Sequence, residues 1–167
     1  MGRVDAVAVQ VIAAHLQTLL GLNARIRPRQ EDPLYAFVPR RDQYEAGKIL
    51  LALEGIRGGP LLKLAVVAVD LYTPILTFVF GESQLGGRAG VVSLFRLKDP
   101  DRQKFYGRGA KIALHEVGHL MGLTHCRRTD CLMGFSHNLN DLDTLTDTFC
   151  PACSYEVGRS LKNRFPS

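Results

Sequence analysis

The run His115-Glu116-Val117-Gly118-His119-Leu120-Met121-Gly122-Leu123-Thr124-His125, with Cys126 directly behind it, decides how the rest of the chain is read. On a helix, His115 and His119 stand one turn apart on a single face. Two imidazoles so placed can converge on one zinc ion at about 2.0–2.1 Å each. Glu116 neighbours the first ligand and points beside the metal, within reach of a water held there. Gly122 lets the backbone leave the helix with positive φ, which a side chain resists. The turn returns His125 as a third ligand from outside the helix. Three neutral ligands leave the fourth tetrahedral position to water, which separates a catalytic zinc site from a closed structural one. A bare His-Glu-x-x-His recurs by chance. The added glycine and third histidine make the pattern specific, and three of the chain's five histidines occupy it.

The cysteines carry a second signal. Cys126, Cys131, Cys150 and Cys153 are the only four in the chain. Two disulfides would suit a secreted protein, but the first 24 residues lack the basic region, apolar block and cleavage site of a secretory signal. A Cys-x-x-x-x-Cys and a Cys-x-x-Cys pair nineteen residues apart therefore suggest a four-cysteine structural zinc site. The setting would be cytoplasmic and reducing, where thiolates persist. Zinc there would act as a staple, since structural zinc in small peptides is worth about 10–16 kcal/mol. Because Cys126 adjoins His125, the same staple would fix the third histidine in place.

These residues together resemble the metzincin zinc-peptidase signature, a long zinc-binding consensus followed by a Met-turn. Cys126, Cys131, Met133 and Cys150-Pro151-Ala152-Cys153 narrow the resemblance to the archaemetzincins. It continues upstream through Arg40, Arg41, Gln43 and Tyr44, then Val69-Asp70-Leu71-Tyr72 and Phe78-Val79-Phe80-Gly81-Glu82. Ser93-Leu94-Phe95-Arg96-Leu97 and Lys111 complete it, so that nearly the whole chain is covered. The resemblance implies a metzincin-like α/β fold: a twisted mixed β-sheet, packed helices including the zinc-binding one, and a small irregular C-terminal subdomain stapled by zinc. It implies two zinc ions per chain and hydrolysis of peptide bonds in peptide or protein substrates, with cleavage of the aminopeptidase type within its range. Met133 alone reads as core filling. As a Met-turn it would lie beneath the metal as an apolar floor without binding it. The family also opens with a strand before its first helix. A chain starting at Met1-Gly2 either lacks that strand or starts downstream of the natural beginning.

The implied chemistry is metal-assisted hydrolysis. Zinc lowers the pKa of a bound water to about 7 in favourable sites. Glu116 would take the water's proton as general base and pass it to the leaving amine. The strand Ile75 to Glu82 could add an extended substrate to a sheet edge, or could simply complete the sheet. Glu82 is a further candidate, a carboxylate at the cleft edge able to pair with a free ammonium group. His15, His137 and Tyr155 read better as packing or surface residues.

A length of 167 residues fits one domain. It divides into an N-terminal α/β lobe, 1–122, and a C-terminal lobe, 123–167, with the Met-turn and cysteines. No apolar run nears the roughly 20 residues of a membrane span. The net charge of +5 is scattered, which argues for a solvated surface more than a nucleic-acid partner, and a monomer is expected. A four-cysteine, zinc-ribbon-like binding module for nucleic acid or protein, without catalysis, is the alternative. It accounts for the cysteines but not for Glu116 or the histidine spacing.

Periodicity predicts helices over Asp5–Leu20, Asp42–Leu53 (capped by Asp42), Phe105–Leu120 and about Pro151–Arg164. It predicts strands over Asn23–Arg27, Leu62–Asp70, Ile75–Phe80 as an edge, and Gly90–Leu97, with a break at Gly58-Gly59-Pro60 and a turn at Gly86-Gly87. Pro28 to Pro39 reads as a loop.

Overall fold

A computed structural model of the chain describes residues 1–57 and 60–166. Helix α1 (Ala6–Leu20) starts where the Asp5 carboxylate accepts the amides of Val7 and Ala8, and ends at Gly21 with φ 64°. Ala8, Ile12, Leu16 and Leu20 recur every four residues and are buried as one stripe. Helix α2 covers Ala46–Gly55. Helix α3 (Arg102–Leu120) carries the histidines, a six-residue helix α4 covers Leu139–Thr144, and α5 (Pro151–Arg164) ends the chain with Pro151 in its first turn.

Among the described residues, seven strands form two mixed sheets. Strands β1 (Phe37–Val38), β2 (Gln43–Glu45), β4 (Leu71–Thr73) and β5 (Leu76–Val79) lie in that order in one sheet. Strands β3 (Lys63–Val67), β7 (Ala89–Ser93) and β6 (Gly81–Ser83) form the other, with β3 parallel and β6 antiparallel to β7. The expected strands are each shorter than predicted: Leu62–Asp70 holds β3 and then a bent link over residues 68–70, with β4 of the other sheet starting only at Leu71. The chain leaves β3 after the Val67 carbonyl takes the Leu94 amide, then joins the second sheet where the Asp70 carbonyl takes the Tyr44 amide. Ile75–Phe80 holds β5, Phe80 links it to β6 in the other sheet, and β5 and β6 are each the edge of their sheet, as expected for this segment. The Val/Ala run over 65–69 gives no sign of where β3 ends, because it stays apolar into the bend at 68–69.

Strand β7 is buried throughout. Alternation along it sends Val92 into a core shared with α1 and α3, and Ala89 and Val91 into a second core beneath α2. Helix α3 therefore lies across the three-stranded sheet with β6 at its side.

Three local expectations are corrected. Asn23–Arg27 is not a strand: residues 23–32 are exposed and irregular, with Arg25, Arg27 and Arg29 offering no apolar face and Pro28 no amide donor. Asp42 is not a helix cap. It sits at φ 52° after a 3-10 turn, and the chain runs as β2 before α2 begins. The cause is Gln43, which is buried and gives its amide to Asp70 Oδ2 at 3.0 Å and to the Thr77 carbonyl at 2.9 Å. Helix α3 begins three residues earlier than Phe105, because Asp101 accepts the Gln103 amide at 2.9 Å and caps it. Gly58 and Gly59 of the expected break lie outside the described residues. Among the described residues no helix is long and apolar enough to cross a membrane.

Candidate metal centre and active site

Helix α3 fixes the first two histidines by their outer nitrogens. His115 Nδ1 donates to the Leu132 carbonyl at 2.9 Å, and His119 Nδ1 to the Leu123 carbonyl at 2.6 Å. Each bond sets the tautomer, so that both Nε2 lone pairs point inward, where they stand 3.0 Å apart. Gly122, at φ 94°, turns the chain so that Leu123 supplies its carbonyl and His125 comes round as the third ring. The ligand nitrogens of His115, His119 and His125 all lie within 4.8 Å of one another. Burial pushes the His115 pKa down to about 4 and lowers those of His119 and His125 too. All three are neutral at pH 7, as a metal ligand must be.

Glu116 points to the strand side of the helix and is 5% exposed. Its Oε2 accepts the Ser83 hydroxyl of β6 at 2.6 Å. A Cβ on Gly81 would come within 2.5 Å of Oε1, so only glycine lets the edge strand approach this carboxyl. Burial pushes the Glu116 pKa up to about 8; the Ser83 bond opposes the shift and nearby Glu82 adds to it. Glu82 is half-buried, and desolvation raises its pKa as well.

Met133 is fully buried, with its sulfur against α3 at Gly118, between the two helical histidines. A Cβ at Gly118 would meet that sulfur at 2.5 Å. The Met133 segment therefore underlies the histidine turn of the helix, with Leu132 orienting His115 and the Met133 carbonyl accepting the Cys126 amide at 2.8 Å.

The four cysteines meet in one cluster and form no disulfide, their sulfurs all lying within 4.8 Å of one another. Cys126 and Cys150 sulfurs are 3.9 Å apart. That matches the edge of a tetrahedron with metal–sulfur bonds of about 2.3 Å, roughly 3.8 Å. Cys150 is the N-cap of α5, and the backbone amide of Cys153 stabilises its thiolate, bringing its pKa down to about 7.

The sequence-derived candidates thus assemble into two clusters, His115/His119/His125 beside Glu116, and Cys126/Cys131/Cys150/Cys153. Several residues around the two clusters carry no sequence signal of their role. Ser83 and Leu132 gave no signal. Phe135, whose ring packs edge-on against His125 with centroids 4.8 Å apart, was marked only by its place two residues after Met133. His15 bonds the Val11 carbonyl of its own helix, as a non-ligand would. His137 packs edge-on against Phe135 with centroids 4.5 Å apart. Arg108 was also missed. It is 5% exposed and forks onto Asp143 at 2.7 and 2.6 Å, tying α3 to α4. That pairing holds Asp143 down at about 2.

The fold and site are those of a zinc metallopeptidase, and comparison with known proteins agrees. The model of peptidase family M54 matches residues 9–159. The archaemetzincin of Methanopyrus kandleri is 38% identical over 148 residues, spanning 89% of this chain and 85% of that protein. Its crystal structure superposes with a TM-score of 0.89 at 36% identity, covering 97% of this chain and 91% of that one. The archaemetzincin of Archaeoglobus fulgidus, solved in complex with malonate, gives a TM-score of 0.82 at 34% identity over 92% of this chain and 94% of that one. The chain belongs to peptidase family M54, the family of the archaemetzincins.

Proposed function

We propose that this chain hydrolyses peptide bonds at a zinc ion held by His115, His119 and His125, with Glu116 as general base. A second, structural zinc would be held by Cys126, Cys131, Cys150 and Cys153. The observation that carries the reading is the pair of Nδ1-to-carbonyl bonds, which leaves two Nε2 atoms converging on a third imidazole. The donor sets fit their ions: three neutral imidazoles suit an open catalytic site, and four sulfurs a closed one. Held by the three histidines, zinc would supply Lewis acidity toward a water and a carbonyl, and its charge would favour the ionised form of Glu116.

The chain's own residues do the rest. Glu116 takes a proton from the attacking water and hands it to the leaving amine. Ser83 holds the carboxyl in one orientation against β6, and Gly81 makes room for it. The open edge of β6 supports strand addition of an extended substrate beside that carboxyl. Glu82, near enough to raise the Glu116 pKa, would pair with a free amino terminus, which supports cleavage of the aminopeptidase type. We divide the chain at 122–123, where the backbone leaves α3, into a lobe that carries the helix and one that carries the Met-turn and thiolates. Four free thiols favour a reducing, cytoplasmic setting.

A peptide-library digest with zinc supplied tests the activity, with cuts expected that disappear on chelation. The same assay examines Ser83. Replacing it with alanine removes one short hydrogen bond to the base and is expected to lower kcat by about tenfold with KM little changed. An unchanged kcat would mean that Ser83 only fills space.

A further inference from the structure

The three histidine rings are not held alike. His115 and His119 each give Nδ1 to a backbone carbonyl, at 2.9 and 2.6 Å. The His125 ring is exposed and meets no protein hydrogen-bond acceptor among the described residues. Its backbone is fixed on both sides, by the Gly122 turn before it and by the Cys126 amide, which gives to the Met133 carbonyl at 2.8 Å, after it. The two side-chain torsions of His125 are left to be set by something other than a hydrogen bond.

The neighbours able to set them are rings. His115 and His119 stand 5.3 and 4.8 Å away, centroid to centroid, as co-ligands would. The third is Phe135, edge-on at 4.8 Å and 71°. Phe135 is 44% exposed, so its replacement need not cost the core. It is nonetheless held from both sides. Before it, Gly134 makes a tight turn with its amide on the Cys131 carbonyl at 2.8 Å, and a Cβ there would strike Leu145 at 2.6 Å. After it, His137 packs edge-on at 4.5 Å, its own amide fixed on Asp141 Oδ2 at 2.9 Å. Asp141 belongs to α4, which the Arg108–Asp143 pair ties to α3. Phe135 is thereby anchored to the same helix that carries His115 and His119, and gives the third imidazole a fixed wall.

We infer that Phe135 is the positioning residue of His125: its ring, braced by His137, keeps the third imidazole turned toward the other two, in place of the carbonyl bond that those two have. The inference rests on the histidine-held zinc of the proposed function. Groups that orient a metal-binding histidine are worth about 10–100-fold in metal affinity. An edge-to-face ring pair, which carries no charge, belongs at the lower end of that range.

The Kd of the more weakly held of two zinc ions is measured by chelator competition in the unaltered protein, Phe135→Leu, Phe135→Tyr and His125→Ala, with melting curves of the zinc-replete proteins in parallel. His125→Ala assigns that ion to the histidines by loosening it most. Phe135→Leu, which keeps the bulk and loses the ring, is expected to weaken it about tenfold while the tighter ion and the melting temperature stay as they are. Phe135→Tyr restores the ring and should match the unaltered protein. Equal affinity in the leucine variant, a tyrosine variant as weak as leucine, or loosening of both ions together with a lower melting temperature would overturn the assignment, the last by making Phe135 merely structural. An unaltered protein that holds one zinc ion only would sink the proposed function along with it. Two zinc ions held equally well with leucine or phenylalanine at 135 would sink this inference alone.

Discussion

Glu116→Gln is expected to lower kcat/KM for peptide hydrolysis by about 10²–10⁴-fold, the usual contribution of a positioned general base. The fold should survive. Glutamine has the same shape, and its amide oxygen can still accept the Ser83 hydroxyl that Oε2 accepts at 2.6 Å. The charge physics gives this variant a second signature. In metal-free protein the carboxyl has its pKa raised from 4.5 to about 8 by burial. A group shifted upward on folding contributes stability that is complete below its unfolded pKa and lost as pH rises through its folded one. Wild-type apoprotein should therefore lose stability between about pH 4.5 and pH 8 relative to the glutamine variant, which carries no titrating group there. Melting curves at pH 5, 7 and 9 alongside the digest check both points. Hydrolysis at the wild-type rate would remove Glu116 from the mechanism.

The second large effect concerns the thiolates. Cys131 is fully buried, and its sulfur accepts the Cys150 amide at 3.4 Å. Cys131→Ser should lower the melting temperature by about 10–20 °C, the change expected for a loss of about 5 kcal/mol in a chain of this size. Hydrolysis should fall with it. Cys126 follows His125 directly, and its amide is held by Met133, whose side chain underlies the histidine turn of α3. Loosening the cage would release His125, Met133 and the Leu132 carbonyl that orients His115. A Cys131→Ser protein with wild-type melting and activity would show the two clusters to be independent.

The legible part of this molecule was the part with a spacing. His115, His119 and His125 are brought together by one helical turn and one glycine turn, and both can be read from local sequence. The cysteine pairs were legible for the same reason, although their nineteen-residue separation says nothing of how α5 docks. The crossing of the chain between two sheets was not legible, since the apolar run from Leu64 to Val69 does not mark that β3 ends at Val67. Asp42 looked like a helix cap because aspartate before a helical pattern usually is one. A buried Gln43, bonded to residues 27 and 34 positions away, overrode that preference. Ser83, Phe135 and Arg108 went unseen because each matters through one distant partner: Glu116, His125 and Asp143.

Diffraction data collected on either side of the zinc absorption edge, from crystals grown with zinc, bear most directly on the central claim. Two anomalous peaks are expected, one equidistant from the inward nitrogens of His115, His119 and His125, the other enclosed by the four cysteine sulfurs. A peak among the sulfurs alone, with the three imidazoles splayed apart at full zinc supply, would contradict it.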